Sequence, residues 1–156
     1  MRQTINDECE RCQVPVSDGS EIIRRLQLAG HLVTPARAAV VQAVAAQARP
    51  FTASQLCAAV AERAPSVGRA TVFRTLDLLE QEGVLDRLRS LKGDASYVAR
   101  DPQRGDEHHY LVCSACDGVA EVEDPRLDAL LRSVAVQHAF RAEGSLVEIF
   151  GRCPEC

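Results

Sequence analysis

The chain has 156 residues, of which 46% are hydrophobic and 26% charged, and no apolar run approaches the ~20 residues of a membrane span. Its N-terminus lacks the apolar core of a secretory signal, so we expect a cytoplasmic protein with reduced thiols, without membrane contact. The seven cysteines are then metal ligands or free thiols. Residues 20–105 carry a net charge of +4 and residues 106–156 carry −6. This asymmetry favours a nucleic-acid-binding part followed by a part with another role.

Three helices are predicted to follow a polar N-terminal tail. Helical periodicity begins at Glu21 and stops at Gly30. Thr34, which precedes a proline, predicts the N-cap of a second helix. Thr52 or Ser54 predicts the cap of a third helix.

The segment VGRATVFRTLDLLEQEG predicts a fourth helix, since Val72, Leu76 and Leu79 form an apolar stripe. Gly83 stands where a helix commonly ends. The runs VLDRLRSL and ASYVAR, separated by KGD, predict a β-hairpin. Helices followed by a small hairpin are typical of a winged-helix domain.

The rest of the chain predicts a linker and then a small α/β domain. RDPQRGDE contains a proline and a glycine among charges, and HYLVC, VAEVE and SLVEIFG are predicted as strands. PRLDALLRSVAVQH predicts a helix whose buried stripe would be Leu127, Leu130, Leu131 and Val134, with His138 beside it as a core histidine. The predicted fold class is α+β, with a tail at 1–19, a winged-helix domain at 20–99, a linker at 100–106 and a small α/β domain at 107–156.

Two C-x-x-C pairs, each at the end of a predicted strand, provide the most specific motif. Four thiolates complete a tetrahedron around Zn²⁺ and leave no open position, which indicates a structural rather than a catalytic site. We therefore predict one structural zinc ion per chain, and its ligands are Cys113, Cys116, Cys153 and Cys156. Two disulfides or four unrelated thiols are the alternative. A third pair, Cys9 and Cys12, lies in the tail, and Cys57 is predicted to lie in the core.

Four segments together carry a family resemblance: LQLAGHLVTPARAAVVQAV, ATVFRTLDLLEQEGVL, HHYLVCSACDGVAEVED and IFGRCPEC. In this order and spacing they resemble the ferric uptake regulator family of metal-responsive bacterial repressors. The resemblance implies an N-terminal winged helix, a C-terminal dimerisation domain, a homodimer, and DNA binding that depends on a second, regulatory metal.

The fourth helix is the recognition helix that this resemblance implies. Residues off its apolar stripe near its start would reach base edges and phosphates. Phe73 stands where the family usually has tyrosine, which keeps apolar contact with a thymine methyl group but loses a hydroxyl. The predicted DNA contacts are Arg37, Arg69, Thr71, Phe73 and Arg74.

The implied regulatory ligands are incomplete. At the hinge, Asp101 and His108 match the family, but Tyr110 and Pro50 replace two histidines. The neighbouring set in the dimerisation domain is also incomplete. It retains His109 and Asp128, but Glu107 and Ser145 each stand in place of a histidine. We expect Asp101, Glu107, His108 and His109 to converge. Mixed oxygen and nitrogen ligation favours Fe²⁺ or Mn²⁺ over Zn²⁺ as the regulatory ion.

The sequence thus predicts a homodimeric repressor of metal-homeostasis or oxidative-stress genes that binds an inverted-repeat operator in double-stranded DNA. An enzyme is not expected, because the four-cysteine site is closed and no nucleophile has an evident base. The alternatives are a zinc-stabilised thiol-redox or peroxide-responsive protein that uses Cys9 and Cys12, and a winged-helix module that binds only protein.

Overall fold

The structure, a computed structural model, describes residues 18–89, 93–100 and 107–156. These residues fall into two compact units, one within Val14–Asp101 and the other from residue 107 to the end of the chain. Among the described helices, none is long and apolar enough to cross a membrane.

Four helices build most of the first unit. They are α1 (Gly19–Leu28), α2 (Pro35–Ala45), α3 (Ala53–Arg63) and α4 (Arg69–Gln81). The hydroxyl of Thr34 accepts from the Arg37 N–H at the start of α2, and Thr52 forms a capping box with Gln55 at the start of α3. Both interactions satisfy backbone donors that a helix leaves unpaired in its first turn. The predicted helix starts at Thr34 and Thr52 are therefore confirmed.

Gly83 ends α4 as predicted. Its φ of 62° is left-handed, a conformation that glycine adopts without strain. A Cβ here would lie 2.7 Å from a guanidinium nitrogen of Arg100, but this flexible side chain can shift, so the backbone conformation is the main reason for glycine.

A three-stranded antiparallel sheet completes the first unit. It contains β1 (Phe51–Thr52), β2 (Leu85–Leu88) and β3 (Ser96–Ala99), in the order β1-β3-β2. The β2–β3 hairpin was predicted, but β1 was not. Two residues are too few for a period, and Phe51 joins the sheet because it pairs with Tyr97, with the ring centroids 5.9 Å apart.

One apolar core joins the helices of this unit to its sheet. Val72, Leu76 and Leu79 are almost completely buried within it, as the stripe on α4 predicts. Cys57 is only partly buried and packs against this core from its edge. Cys57 therefore packs against the core, as predicted, but it is less buried than a core residue.

The second unit contains β4 (Glu107–Cys113), β5 (Val119–Glu121), α5 (Pro125–Gln137) and β6 (Ser145–Gly151). Its sheet has the order β5-β4-β6, with β5 antiparallel and β6 parallel to β4. The winged helix and this α/β unit together give the predicted α+β fold.

The buried stripe predicted on α5 is wrong for the single chain. No residue of α5 is buried, and Leu130 and Val134 are 60% and 46% exposed. His138 follows the helix as an exposed capping residue, so it is not a core histidine. The helix is amphipathic as its period indicates, but one small sheet covers only part of its apolar face.

Candidate metal centre and nucleic-acid interface

The parallel pairing of β4 with β6 brings the two C-x-x-C motifs together. Cys113 lies opposite Gly151 in the register, so both strands enter their cysteine turns at the same edge of the sheet. Ser114 ties the turns together, because its N–H and its hydroxyl both donate to the Gly151 carbonyl, at 2.8 and 2.9 Å. Cysteines far apart in the sequence thus become neighbours.

Each motif forms a tight turn that directs its thiols to one point. In the first, the Asp117 N–H donates to the Cys113 carbonyl, and Asp117 has a left-handed φ of 57°. Aspartate tolerates this conformation better than most residues. In the second, the Cys156 N–H donates to the Cys153 carbonyl at 3.1 Å.

The four sulfurs have the spacing of a metal-binding set. All lie within 4.8 Å of one another, with Cys116 to Cys153 at 3.9 Å and Cys153 to Cys156 at 3.3 Å. A tetrahedron with zinc–sulfur bonds of about 2.3 Å has sulfur–sulfur edges of about 3.8 Å. The thiols are free, not disulfide-bonded. The cluster therefore fits a structural zinc ion.

The thiol pKa values differ according to their surroundings. Burial opposes ionisation of Cys113, but backbone N–H groups of Cys116 and Cys153 outweigh it and lower its pKa to about 6. A hydrogen bond between the Cys153 and Cys156 sulfurs raises the pKa of Cys156, because this bond keeps a proton on one of two sulfurs that would repel each other as adjacent thiolates. A cation held between the sulfurs removes that repulsion, which is the chemistry that a zinc ion supplies.

The two strand histidines lie on opposite faces of β4, as successive strand residues must. The Nδ1 atom of His108 is 2.9 Å from a Glu121 carboxylate oxygen, and the His108 ring stacks on Tyr110. The Nε2 atom of His109 is 3.0 Å from an Asp128 oxygen on α5. Both histidines are almost fully buried.

The remaining predicted ligands do not complete one cluster. Glu107 shares the His109 face of β4, and its carboxylate binds Arg132 on α5. Asp101 lies outside the described residues, as do Cys9 and Cys12. Within 18–89, 93–100 and 107–156, the four cysteines form the only set of three or more close ligands. The structure therefore does not bring Glu107, His108 and His109 together.

Two residues of these histidine clusters were missed from the sequence. Glu121 lies across from Tyr110 in the β4–β5 register, and Arg132 lies one turn after Asp128 on α5. Glu121 could have been found from the sequence, because it is an acidic residue in a predicted strand that was expected to pair with the histidine strand. The contact of Arg132 with Glu107 depends on how α5 packs, which has no local signal.

The outer face of α4 carries the predicted DNA-contacting side chains. Arg69, Phe73 and Arg74 are exposed, and Phe73 is 42% exposed although it is aromatic. Thr71 is half-buried in the first turn, where its carbonyl accepts from the Thr75 hydroxyl. The helix thus presents an arginine and aromatic surface opposite its buried stripe.

Arg37 lies apart from that surface, in the first turn of α2. Its guanidinium Nη1 donates to the Leu32 carbonyl and fixes the turn between α1 and α2. A guanidinium has five N–H donors, so this bond leaves others for a phosphate.

Comparison with known proteins identifies the family to which this fold belongs. The model of the ferric uptake regulator family matches residues 29–150. The chain belongs to the ferric uptake regulator family. The ferric uptake regulation protein of Bacillus subtilis is 29% identical over 136 residues, which cover 86% of this chain and 91% of that protein. The zinc uptake regulation protein of Mycobacterium tuberculosis strain H37Rv is 33% identical over 107 residues, which cover 67% and 78%.

Solved structures of family members share the fold. A zinc uptake regulator complexed with zinc and DNA has a TM-score of 0.73 at 22% identity, covering 88% of this chain and 91% of that one. The Pseudomonas aeruginosa ferric uptake regulator with manganese has a TM-score of 0.65 at 25% identity, covering 85% and 97%. This family member is a metal-responsive transcriptional regulator and not an enzyme. Family members similar to this chain carry the names of regulators of iron, zinc and manganese uptake.

Proposed function

We propose that this regulator is a homodimeric repressor that binds an inverted-repeat operator in double-stranded DNA when a divalent metal is bound. The observation that carries the proposal is the outer face of α4, where Arg74 and Phe73 are exposed while Val72 and Leu76 on the other face are buried. A recognition helix needs this arrangement, because its inner face packs and its outer face meets base edges.

Charge supports nucleic acid as the partner of the first unit. Residues 20–105 carry a net charge of +4, and arginines stand at the starts of both α2 and α4. We propose Arg69 and Arg37 as phosphate contacts, Arg74 and Phe73 as base contacts, and Thr71 as a contact at the helix start. Binding should weaken steeply as salt increases, since each neutralised phosphate releases counterions.

The apolar surface of the second unit supports a homodimer. Leu130 and Val134 of α5 are exposed, and so are Leu111 and Ile149, which are neighbours on β4 and β6. Strand β6 is also an edge of this sheet in the described part of the chain, and an edge strand is a surface to which a further strand can add. A second copy would cover both features and would place two recognition helices for a two-fold symmetric site.

We assign the regulatory metal to the His108 side of β4; Asp101, the other hinge ligand that the sequence predicts, lies outside the described residues. The bond between His108 and Glu121 supports this choice, because metal-binding histidines are commonly oriented by a carboxylate at their other nitrogen. Oxygen and nitrogen ligation without thiolate favours Fe²⁺ or Mn²⁺. The ion would shift the population of the chain toward a DNA-competent state, and the controlled genes would serve metal homeostasis or the oxidative-stress response.

A mobility-shift assay tests the proposal. The zinc-loaded protein is mixed with duplexes selected from a random pool, without added metal and with Fe²⁺, Mn²⁺ or Zn²⁺. We expect one metal to produce binding to a two-fold symmetric sequence. Equal binding of selected and random duplexes under every condition contradicts the proposal.

An Arg74→Ala variant tests the recognition face. Loss of the side chain should weaken operator binding by about 1–3 kcal/mol. Arg63→Ala is the matched control, because Arg63 is an exposed arginine in the last turn of α3, outside the proposed interface. Unchanged affinity in Arg74→Ala, or equal losses in both variants, contradicts the assigned face.

A further inference from the structure

Two ion pairs join α5 to one face of β4. The Arg132 Nη1 atom lies 2.6 and 2.8 Å from the two carboxylate oxygens of Glu107, and His109 Nε2 lies 3.0 Å from Asp128. Glu107 and His109 share this face because they are two residues apart in the strand. Here the family resemblance implies a metal site within the dimerisation domain.

The charges around this face do not fit a divalent ion. A metal bound there would need the Glu107 oxygens, and a guanidinium already occupies both. A positive charge within a few ångströms of a divalent ion repels it, and solvent at a protein surface screens this repulsion only in part. Arg132 therefore both blocks the ligand and repels the ion.

Without the Glu107 oxygens, the other donors on this face are too few to hold a divalent ion. Ser145, paired with Glu107 in the register, offers a neutral hydroxyl that is buried without a hydrogen-bond partner in the described part of the chain. The Nδ1 atom of His109 is buried and likewise unpartnered there. No third ligand from the described ranges joins His109 and Asp128.

Access is not what excludes the ion. Glu107, Arg132 and Ser145 line an open cleft of about 620 Å³, and the Arg132 side chain is 58% exposed. Solvent cations can therefore reach the carboxylate, and only the guanidinium competes with them.

We propose that Arg132 takes the place of a divalent cation on this face, so that the dimerisation unit of this chain holds zinc at its four cysteines and no metal at Glu107, His109 and Asp128. The link between α5 and β4 is then independent of metal supply. This inference does not rest on the proposed repressor function.

Mn²⁺ titration of the zinc-loaded protein, followed by the electron paramagnetic resonance signal of free Mn²⁺, tests this assignment. Arg132→Ala should gain one Mn²⁺ site per chain that is about tenfold or more tighter than any on this face of the wild type, because a repelling charge is removed. Adding His109→Gln or Glu107→Gln to Arg132→Ala should abolish the gained site. The same two substitutions in the wild type should leave Mn²⁺ binding unchanged.

Arg126→Ala provides the matched control. Arg126 is also an arginine of α5 paired with a carboxylate, that of Asp124, but among the described residues no histidine is paired with that carboxylate. The Arg126→Ala variant should gain no Mn²⁺ site. The proposal is overturned if Arg132→Ala gains none, or if His109→Gln or Glu107→Gln removes an ion from the wild type. Because Glu107→Gln alters a partly exposed residue, it keeps the test valid if His109→Gln fails to fold. A Mn²⁺ site that depends on His108 instead belongs to the proposed regulatory site.

Discussion

Replacing Cys153 by serine should remove the zinc ion and unfold the second unit. The Cys153 sulfur lies within 3.9 Å of the Cys116 sulfur and 3.3 Å of the Cys156 sulfur, and its backbone N–H donates to the Cys113 sulfur. A serine hydroxyl does not ionise near neutral pH and is a poor zinc ligand, so three thiolates remain.

The loss of stability should be large, because few other interactions stabilise the second unit. Among its described apolar side chains, only Tyr110, Cys113 and Val119 are buried. Full burial of one such side chain contributes about 1.5–3 kcal/mol. Structural zinc contributes on the order of 10 kcal/mol in small domains. Loss of the ion therefore removes the largest single stabilising contribution.

Elemental analysis, scanning calorimetry and sedimentation together measure the outcome. Wild type should contain one tightly held zinc per chain, while Cys153→Ser should contain none, lose the unfolding transition of the second unit and sediment as a monomer. Cys57→Ser is the control, because Cys57 packs against the core of the first unit and is not one of the four clustered cysteines. A Cys153→Ser protein that is zinc-free yet folded and dimeric refutes the reasoning.

Three further predictions concern other parts of the molecule. Val134→Asp should convert the dimer to a monomer that keeps its zinc, measured by sedimentation and elemental analysis, because it charges an exposed apolar helix face; an intact dimer contradicts the interface. A chelator should remove zinc faster at pH 5 than at pH 8. The pKa of Cys113 is about 6, so this thiol is a thiolate above pH 6 and is protonated below it. Below pH 6, protons therefore compete with zinc for the sulfur. Equal release rates at the two pH values count against this. Leu76→Ala should cost about 2–5 kcal/mol of unfolding free energy by leaving a cavity under α4, and a smaller change in chemical denaturation indicates that the core relaxes to fill it.

Local signals in the sequence were sufficient for most elements of the fold. Thr34 and Thr52 mark helix starts because side-chain caps act within three residues, and Gly83 marks an end because its left-handed backbone is a local requirement. The short strand at Phe51 had no such signal. It exists only because Tyr97, distant in the sequence, lies beside it.

The histidine and carboxylate residues show the limit of sequence reasoning about the site. The ligand types were recognised, but convergence was assumed, whereas the alternation of a strand places His108 and His109 on opposite faces. Glu107 was counted as a metal ligand, whereas the packing of α5 gives it Arg132 as a partner.

By itself, the sequence was sufficient to predict the four zinc ligands, because the C-x-x-C spacing places two thiols on one turn and four thiolates suit zinc. The α+β order of elements and the apolar stripe of α4 were equally fixed by local periodicity. Only the tertiary structure decided which cysteine turns meet, through the parallel pairing of β4 with β6, and which charges meet under α5. Contacts between distant segments depend on how whole elements pack, and no residue spacing encodes that packing.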